Sequence, residues 1–211
     1  MSSLRPLDNQ PSTNSRPGVP ALLIPVLLAA ALGLVLFFAW RPAPLPPPPA
    51  PLPELSRTNL VRQGGCWFQT GHTNPFTGIM LEFYPGGLPM SRSVISNGLL
   101  NGLSEGWFTN RQMQIREYYQ ANVSDGLRTK WYPNGHKLSE APIKHGKIDG
   151  LFRRWHQDGT LAEEIPMQDG QQEGVGRAWY PSGCLQMEVE MRAGKVVSNQ
   201  SWKDGERKGG N

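Results

Sequence analysis

Five glycines, Gly78, Gly102, Gly126, Gly150 and Gly174, recur every 24 residues with no insertion or deletion between them. A chain with this register folds as a row of like units, each no larger than one supersecondary element, rather than around one globular centre. Five residues after each glycine stands an aromatic ring, Phe83, Trp107, Trp131, Trp155 or Trp179, and directly behind it a second ring, Tyr84, Phe108, Tyr132, His156 or Tyr180. The residue after each glycine is apolar: Ile79, Leu103, Leu127, Leu151 and Val175. Strand faces alternate with period two, so the apolar column and the first aromatic column point the same way and the second aromatic column points oppositely. Polar residues between them, such as Glu82, Glu105, Arg128, Lys130, Arg153, Arg154 and Arg177, read as the wetter face of a half-buried strand.

Each strand runs into a turn, Pro85-Gly86-Gly87, Pro133-Asn134-Gly135, Gln157-Asp158-Gly159 or Pro181-Ser182-Gly183, in which glycine supplies positive φ. A second strand follows, as at Leu161–Ile165 and Leu185–Val189, and a second turn closes the unit at Asn97-Gly98, His145-Gly146, Asp169-Gly170 or Ala193-Gly194. Asp125, Asp149 or Glu173 then often precedes the next repeat glycine. Each repeat is one hairpin, because glycine and Asn/Asp-Gly pairs interrupt every window long enough for a helix. The expected fold is therefore all-β: an elongated single-sheet array of antiparallel β-hairpins. Two strands per repeat at ~4.8 Å each make a ribbon ~50–60 Å long. Such a sheet is expected to be held by stacking Phe83, Trp107, Trp131, Trp155 and Trp179 over the column from Ile79 to Val175. The second aromatic column, Tyr84, Phe108, Tyr132, His156 and Tyr180, is then the candidate contact face. Pro142 and Pro166 fall inside expected second strands, which predicts bulged or short strands there.

The stretch Gly126 to Gly150, read as Gly-x4-Trp-Tyr-Pro-Asn-Gly-x2-Leu-x-Glu followed by Lys-His-Gly-Lys-Ile-Asp-Gly, resembles the MORN-repeat variant family. Bacterial members of that family include proteins labelled YwqK-type antitoxins. The likeness runs from about Leu60 to Lys208. Gly65-Cys66-Trp67-Phe68 and Asn74–Gly78 look like the family's leading segment. The second repeat departs from the pattern, with Asn110-Arg111 and Asn122 where turn glycines are expected. The last unit, Ser198 through Trp202 to Gly205, is shortened, as expected for a terminal cap.

Ahead of the repeats, Ala21 to Trp40 (ALLIPVLLAAALGLVLFFAW) holds twenty residues without a charge, between Arg16 and Arg41. At 1.5 Å per residue this spans ~30 Å, the thickness of a bilayer's hydrocarbon core, and predicts a single transmembrane helix. A cleaved signal peptide is the rival reading, since Ala29–Ala31 resembles a cleavage site, but its apolar region would be shorter. Arg5, Arg16 and the amino terminus lie on the N side. This places the N-terminus in the cytoplasm and the repeats outside, periplasmic or extracytoplasmic. Residues 1–20 read as a disordered tail. Residues 41–56 read as a linker in which eight of the twelve residues from Pro42 to Pro53 are proline, a polyproline II spacer of ~37 Å. The repeat domain is assigned to residues 57–211.

Chemistry-bearing constellations are sparse. From Val61 onward there are 17 Lys/Arg and 15 Asp/Glu, interleaved, so the repeats carry +2 and no basic stripe for nucleic acid. Cys66 and Cys184 lie several repeats apart, farther than the ~7 Å that a disulfide permits between Cα atoms. His72, His136, His145 and His156 have no second ligand at metal-binding spacing. Glu163-Glu164 and the column Glu140, Glu164 and Glu188 follow the period and read as surface strand residues rather than a catalytic pair. No nucleophile, phosphate-loop or dinucleotide motif is present. The expectation is a protein with no catalytic site, no metal, no cofactor and no small-molecule substrate. It would act as a membrane-anchored scaffold that binds another protein or an envelope component. The alternative, implied by the family label alone, is an antitoxin that neutralises a partner.

Overall fold

The computed structural model describes residues 50–206. The tail, the apolar segment 21–40 and the spacer up to residue 49 lie outside the described residues, as do 207–211. Among the described residues no helix is long and apolar enough to cross a membrane.

The chain contributes β1 (Glu54–Ser56), β2 (Leu60–Gln63), β3 (Cys66–Gln69), β4 (Gly78–Phe83), β5 (Pro89–Ser96), β6 (Leu99–Trp107), β7 (Met113–Gln120), β8 (Val123–Ser124) and β9 (Gly126–Trp131). It continues with β10 (Lys137–Lys144), β11 (Lys147–Ile148), β12 (Gly150–Trp155), β13 (Leu161–Gln168), β14 (Gln171–Gln172), β15 (Gly174–Trp179), β16 (Leu185–Arg192) and β17 (Lys195–Ser201). One long sheet runs β1-β4-β5-β6-β7-β9-β10-β12-β13-β15-β16-β17, with β8, β11 and β14 pairing back onto β7, β10 and β13. The all-β hairpin array is as the sequence predicts. Three details differ.

First, β1 lies in the last three residues of the stretch read as linker, and it pairs parallel to β4, Glu54 opposite Ile79. The connection that makes this possible carries a 3-10 turn at Arg57–Asn59 and the β2–β3 hairpin, which forms a separate two-stranded sheet. Second, the repeat is more than a plain hairpin. Between the closing turn and the repeat glycine, two residues pair briefly with the preceding strand, as Ile143 with Ile148 and Lys144 with Lys147. The chain then steps aside at Asp149-Gly150 and resumes as β12. Third, β10 and β13 run unbroken through Pro142 and Pro166. The carbonyl of Pro142 accepts from Asp149 N–H at 2.9 Å and that of Pro166 from Glu173 N–H at 3.0 Å. A strand residue's carbonyl and amide point to the same side, so the missing proline amides face the step in the ladder and cost no bond within the hairpin itself. The bulges fall elsewhere, at the start of each second strand, for example between Lys137 and Ser139.

Burial is concentrated at the N-terminal end. The β2–β3 hairpin contributes Leu60 and Trp67 to a core with Phe76, Met80 and Ile95, with Leu55 and Leu100 packed against it, and Ile95 is fully enclosed. Arg57 lies over the Trp67 ring at 4.2 Å from its centroid. Beyond this core, the stack expected of the first aromatic column is not buried. Phe83 is 47% exposed, Leu127 is 45% exposed, and Trp107, Trp131, Trp155 and Trp179 are half-buried. In that column and its apolar companion, Ile79 is the buried member. Buried side chains of the later repeats include Glu117, Ala141 and Ile143 on the other face and Thr129 on this one.

Candidate functional site

Cross-strand register assigns each side chain to a face. Ile79, Leu103, Leu127, Leu151 and Val175 lie opposite Val94, Tyr118, Pro142, Pro166 and Glu190. Two residues further along each first strand come Leu81, Glu105, Thr129, Arg153 and Arg177, opposite Arg92, Arg116, Glu140, Glu164 and Glu188. Glu105, Arg153 and Arg177 thus share the face of the apolar and aromatic columns and do not lie on a separate wet face. Arg116 grips Glu105 at 2.9 Å, Arg153 holds Glu164 at 2.9 Å and Arg177 holds Glu188 at 2.8 Å. The outcome is a striped surface of aliphatic column, ion-paired column and aromatic column, in which Phe83, Tyr118 (43%) and Leu127 are the most exposed apolar members.

The second aromatic column sits differently from what alternation predicts. Its members are the first turn residues rather than the last strand residues. The Tyr84 amide donates to Leu88 O, and Phe108, Tyr132, His156 and Tyr180 repeat the same bond. The register shift beside the first aromatic, where Glu82 faces Ser91 and Phe83 faces Pro89, places its extra residue, Met90, in the second strand, and the first strand itself ends at Phe83. These five side chains are half-buried. Four of them reach one repeat onward: Tyr84 Oη donates to Trp107 O (2.8 Å), Tyr132 Oη to Trp155 O (3.0 Å) and Tyr180 Oη to Trp202 O (3.2 Å), while His156 Nε2 lies 2.8 Å from Trp179 O.

Two further ladders run along the opposite edge. Gly98, Asn122, Gly146 and Gly170 donate their amides to Phe76, Leu100, Ser124 and Ile148 carbonyls. Asp125, Asp149 and Glu173 accept the amides of His145, Asp169 and Ala193, twenty residues on, and Thr77 does the same for Asn97. The acidic residue before the repeat glycine is visible in the sequence, but its partner is not, because the bond closes only when two repeats stack.

A cleft of about 570 Å³ lies at the N-terminal end of the striped face. Leu81, Phe83, Pro89 and Trp107 form its apolar wall, and Glu54, Glu82, Arg92 and Arg111 its rim. Arg92 lies 3.8 Å from Glu54, Arg57 lies 3.9 Å from Glu82, and Ser91 donates to Glu82 at 2.8 Å. The cleft depends on β1, whose placement beside β4 the proline-rich composition hides.

One other cluster stands out on the opposite face. Glu117, 6% exposed, accepts from Ser124 Oγ at 2.5 Å, Arg128 Nε at 2.6 Å and Tyr119 Oη at 3.0 Å. The same positions in the next repeat are Ala141, Ile143, Ile148 and Phe152, so one polar knot interrupts an apolar ladder. Burial works to raise the Glu117 pKa, but the hydrogen bonds from Ser124 and Arg128 and the Arg128 charge outweigh it and hold the carboxyl below its ordinary range. Burial and the neighbouring Glu117 charge push the Tyr119 phenol up. With no buried polar atom unpartnered among the described residues, the knot is closed. Cys66 and Cys184 are free thiols, and no group of three His, Cys, Asp or Glu among the described residues could hold a metal ion.

A family model of the MORN repeat variant matches residues 124–145 and 148–169. Two adjacent repeats, within residues 124–169, are MORN-variant repeats. The two matched stretches contain β9–β10 and β12–β13, and the same hairpin and edge bonds recur on either side of them. No curated protein matches the chain.

Proposed function

We propose that this chain is a non-catalytic protein-binding module, built from MORN-variant repeats and held at a membrane by residues 21–40, with the repeats on the exported side. The observation that carries the reading is the cleft at Phe83 and Trp107. It offers an apolar wall for one anchoring side chain, a rim bearing both charge signs, and a striped face leading away from it on which an extended partner segment can lie. Interfaces of this anatomy draw most of their affinity from a few anchors inside a polar rim. An envelope component of polymeric kind would use the same stripe. An antitoxin-like role is the same reading with a toxin as the captured partner.

The test is photocrosslinking in intact membranes from a probe at Arg111, on the rim of the cleft, followed by identification of the attached protein. The expected result is one specific partner whose capture falls about tenfold or more with Phe83→Ser, the cost of losing one anchor. Capture that is indifferent to Phe83→Ser and to Trp107→Ala would exclude the cleft. Protease accessibility of the repeats in intact cells tests the exported side. Recovery of uncleaved protein in the soluble fraction would remove the anchor.

A further inference from the structure

The second repeat breaks the pattern at one turn position. The amide of Arg111 donates to Phe108 O at 2.9 Å, and the same bond is made by Gly87 to Tyr84, by Gly135 to Tyr132, by Gly159 to His156 and by Gly183 to Tyr180. The four glycines have φ +83°, +88°, +92° and +82°, and Arg111 has φ +68°. Asn110 holds this turn as Asn134 holds the next. Asn110 Nδ2 donates to Pro133 O at 2.7 Å and its Oδ1 accepts the Gln112 amide, while Asn134 makes the corresponding bonds to Gln157 O and the His136 amide. The turn keeps its shape and imposes a left-handed φ on a residue with a Cβ, where its counterparts have none. Strain of this kind persists where the surrounding structure over-determines it, and it points to function when the side chain gains a place by it.

That place is the cleft, which Arg111 lines together with Phe83 and Trp107. The two acids of the rim already face cations. Glu54 faces Arg92 at 3.8 Å, and Glu82 faces Arg57 at 3.9 Å and accepts from Ser91. Arg111 is exposed, and among the described residues its guanidinium meets no carboxylate. Three cations therefore stand against two acids, and the unmatched charge is that of Arg111. An apolar wall with one unmatched cation at its edge is complementary to a bulky apolar side chain that carries a carboxylate next to it. A basic residue in that place would set like charge against Arg111.

Given the cleft as the binding site, on which this inference rests, we propose that Arg111 selects the partner: the cleft takes an acidic peptide segment. A bulky apolar residue seats against Phe83 and Trp107, and the Glu or Asp beside it accepts from the Arg111 guanidinium. The apolar anchor supplies affinity, and Arg111 supplies the choice among partners. The strained turn is a stability cost retained for recognition.

The experiment measures, by fluorescence anisotropy, the binding of labelled peptide pools to the full chain in detergent micelles. Each pool has a central Phe followed by Glu, Gln or Lys, with mixed residues elsewhere. The Glu pool is expected to bind about tenfold more tightly than the Gln pool, the worth of a hydrogen bond to a charged group, and the Lys pool weakest. Arg111→Lys should keep that order, Arg111→Gly should bring the Glu and Gln pools level, and Arg111→Glu should make the Lys pool the tightest. Arg111→Gly should also unfold at a higher urea midpoint, because the strain is relieved. A lower midpoint would give Arg111 a structural task and overturn the proposal. Pools that bind equally well, all weakened by Phe83→Ser, overturn the acidic partner and leave the cleft in place. Binding by no pool, or binding that ignores Phe83→Ser, removes the cleft and this inference with it. A crosslinking probe at residue 111 replaces the charge, so capture from that position reports on the cleft alone.

Discussion

Phe108 stands where Tyr84, Tyr132, His156 and Tyr180 each place a polar atom against the carbonyl of the aromatic residue one repeat on, and it has no polar tip to offer Trp131. Phe108→Tyr should supply the missing bond and raise stability by about 0.5–1.5 kcal/mol, the usual net worth of one such bond. Urea unfolding should show a higher midpoint at unchanged slope, and no gain would mean that these bonds follow repeat stacking without helping to hold it. Glu117 gives a second test at this scale. Its folded pKa is depressed, so its contribution is present above the unfolded value, near 4.5, and is lost as pH falls through the folded value. The stability difference between the native chain and Glu117→Gln should be largest near pH 7 and shrink on acidification below about 4.5, the ordinary carboxylate range. A difference that stays constant from pH 7 to pH 3 would remove the ionised carboxylate from the account. Asp158, fully exposed, is held low by the hydroxyl and amide of Thr160, a local turn bond without such reach.

The repeat element depends on its glycine for two reasons that the period alone does not separate. Gly150 has φ +123°, and a Cβ there would lie 3.1 Å from Pro142 Cγ. Gly126 meets Tyr118 and Gly174 meets Pro166 in the same way. The glycine is thus both the pivot of the step after Asp149 and the flat spot against the preceding strand. Gly86 has φ +96° but nothing within 4 Å of the added atom. Gly150→Ala should therefore cost about 1–3 kcal/mol from strain and contact together, and more than Gly86→Ala, where strain acts alone. Equal losses in thermal unfolding would show that the contact contributes nothing. Gly78 keeps the register for another reason: its Cβ would strike Phe76 and the carbonyl of Pro53, so it admits β1 and the covering hairpin. Arg111 and Asn122, both at φ +68°, occupy turn positions where other repeats have glycine. Asn122 is compensated by bonds to Leu100 N–H (2.7 Å) and Gly65 O (3.2 Å), which tie the second repeat to the β2–β3 hairpin.

Across the sheet, the N-terminal end has a covered core, whereas the three junctions β7–β9, β10–β12 and β13–β15 each pair two residues and rely on the edge ladders. Stability in such arrays is close to a sum of unit and neighbour contributions, so it should be graded along the chain. Amide exchange is expected to be slowest in β4–β6 and to quicken toward β13–β15. Uniform protection would mean that the array unfolds as one block.

The sequence by itself determined the translational plan. The period, the hairpin in each repeat, both turns and the MORN-variant likeness depend on residues close in the chain and on glycine and Asn-Gly chemistry that acts locally. Its parity rule does not extend to the second ring column, because the first strand ends at the first ring. Strand parity holds only inside a strand, and β4 ends at Phe83, so Tyr84 stands in the turn and its placement follows the turn's own bonds to Leu88 and Gly87. The acidic residue before Gly126, Gly150 and Gly174 was legible, yet its role depends on an amide twenty residues away. Only the tertiary structure decided which face is buried and where the cleft forms. Those outcomes turn on a β1 strand that proline disguises and a hairpin that folds over one end alone.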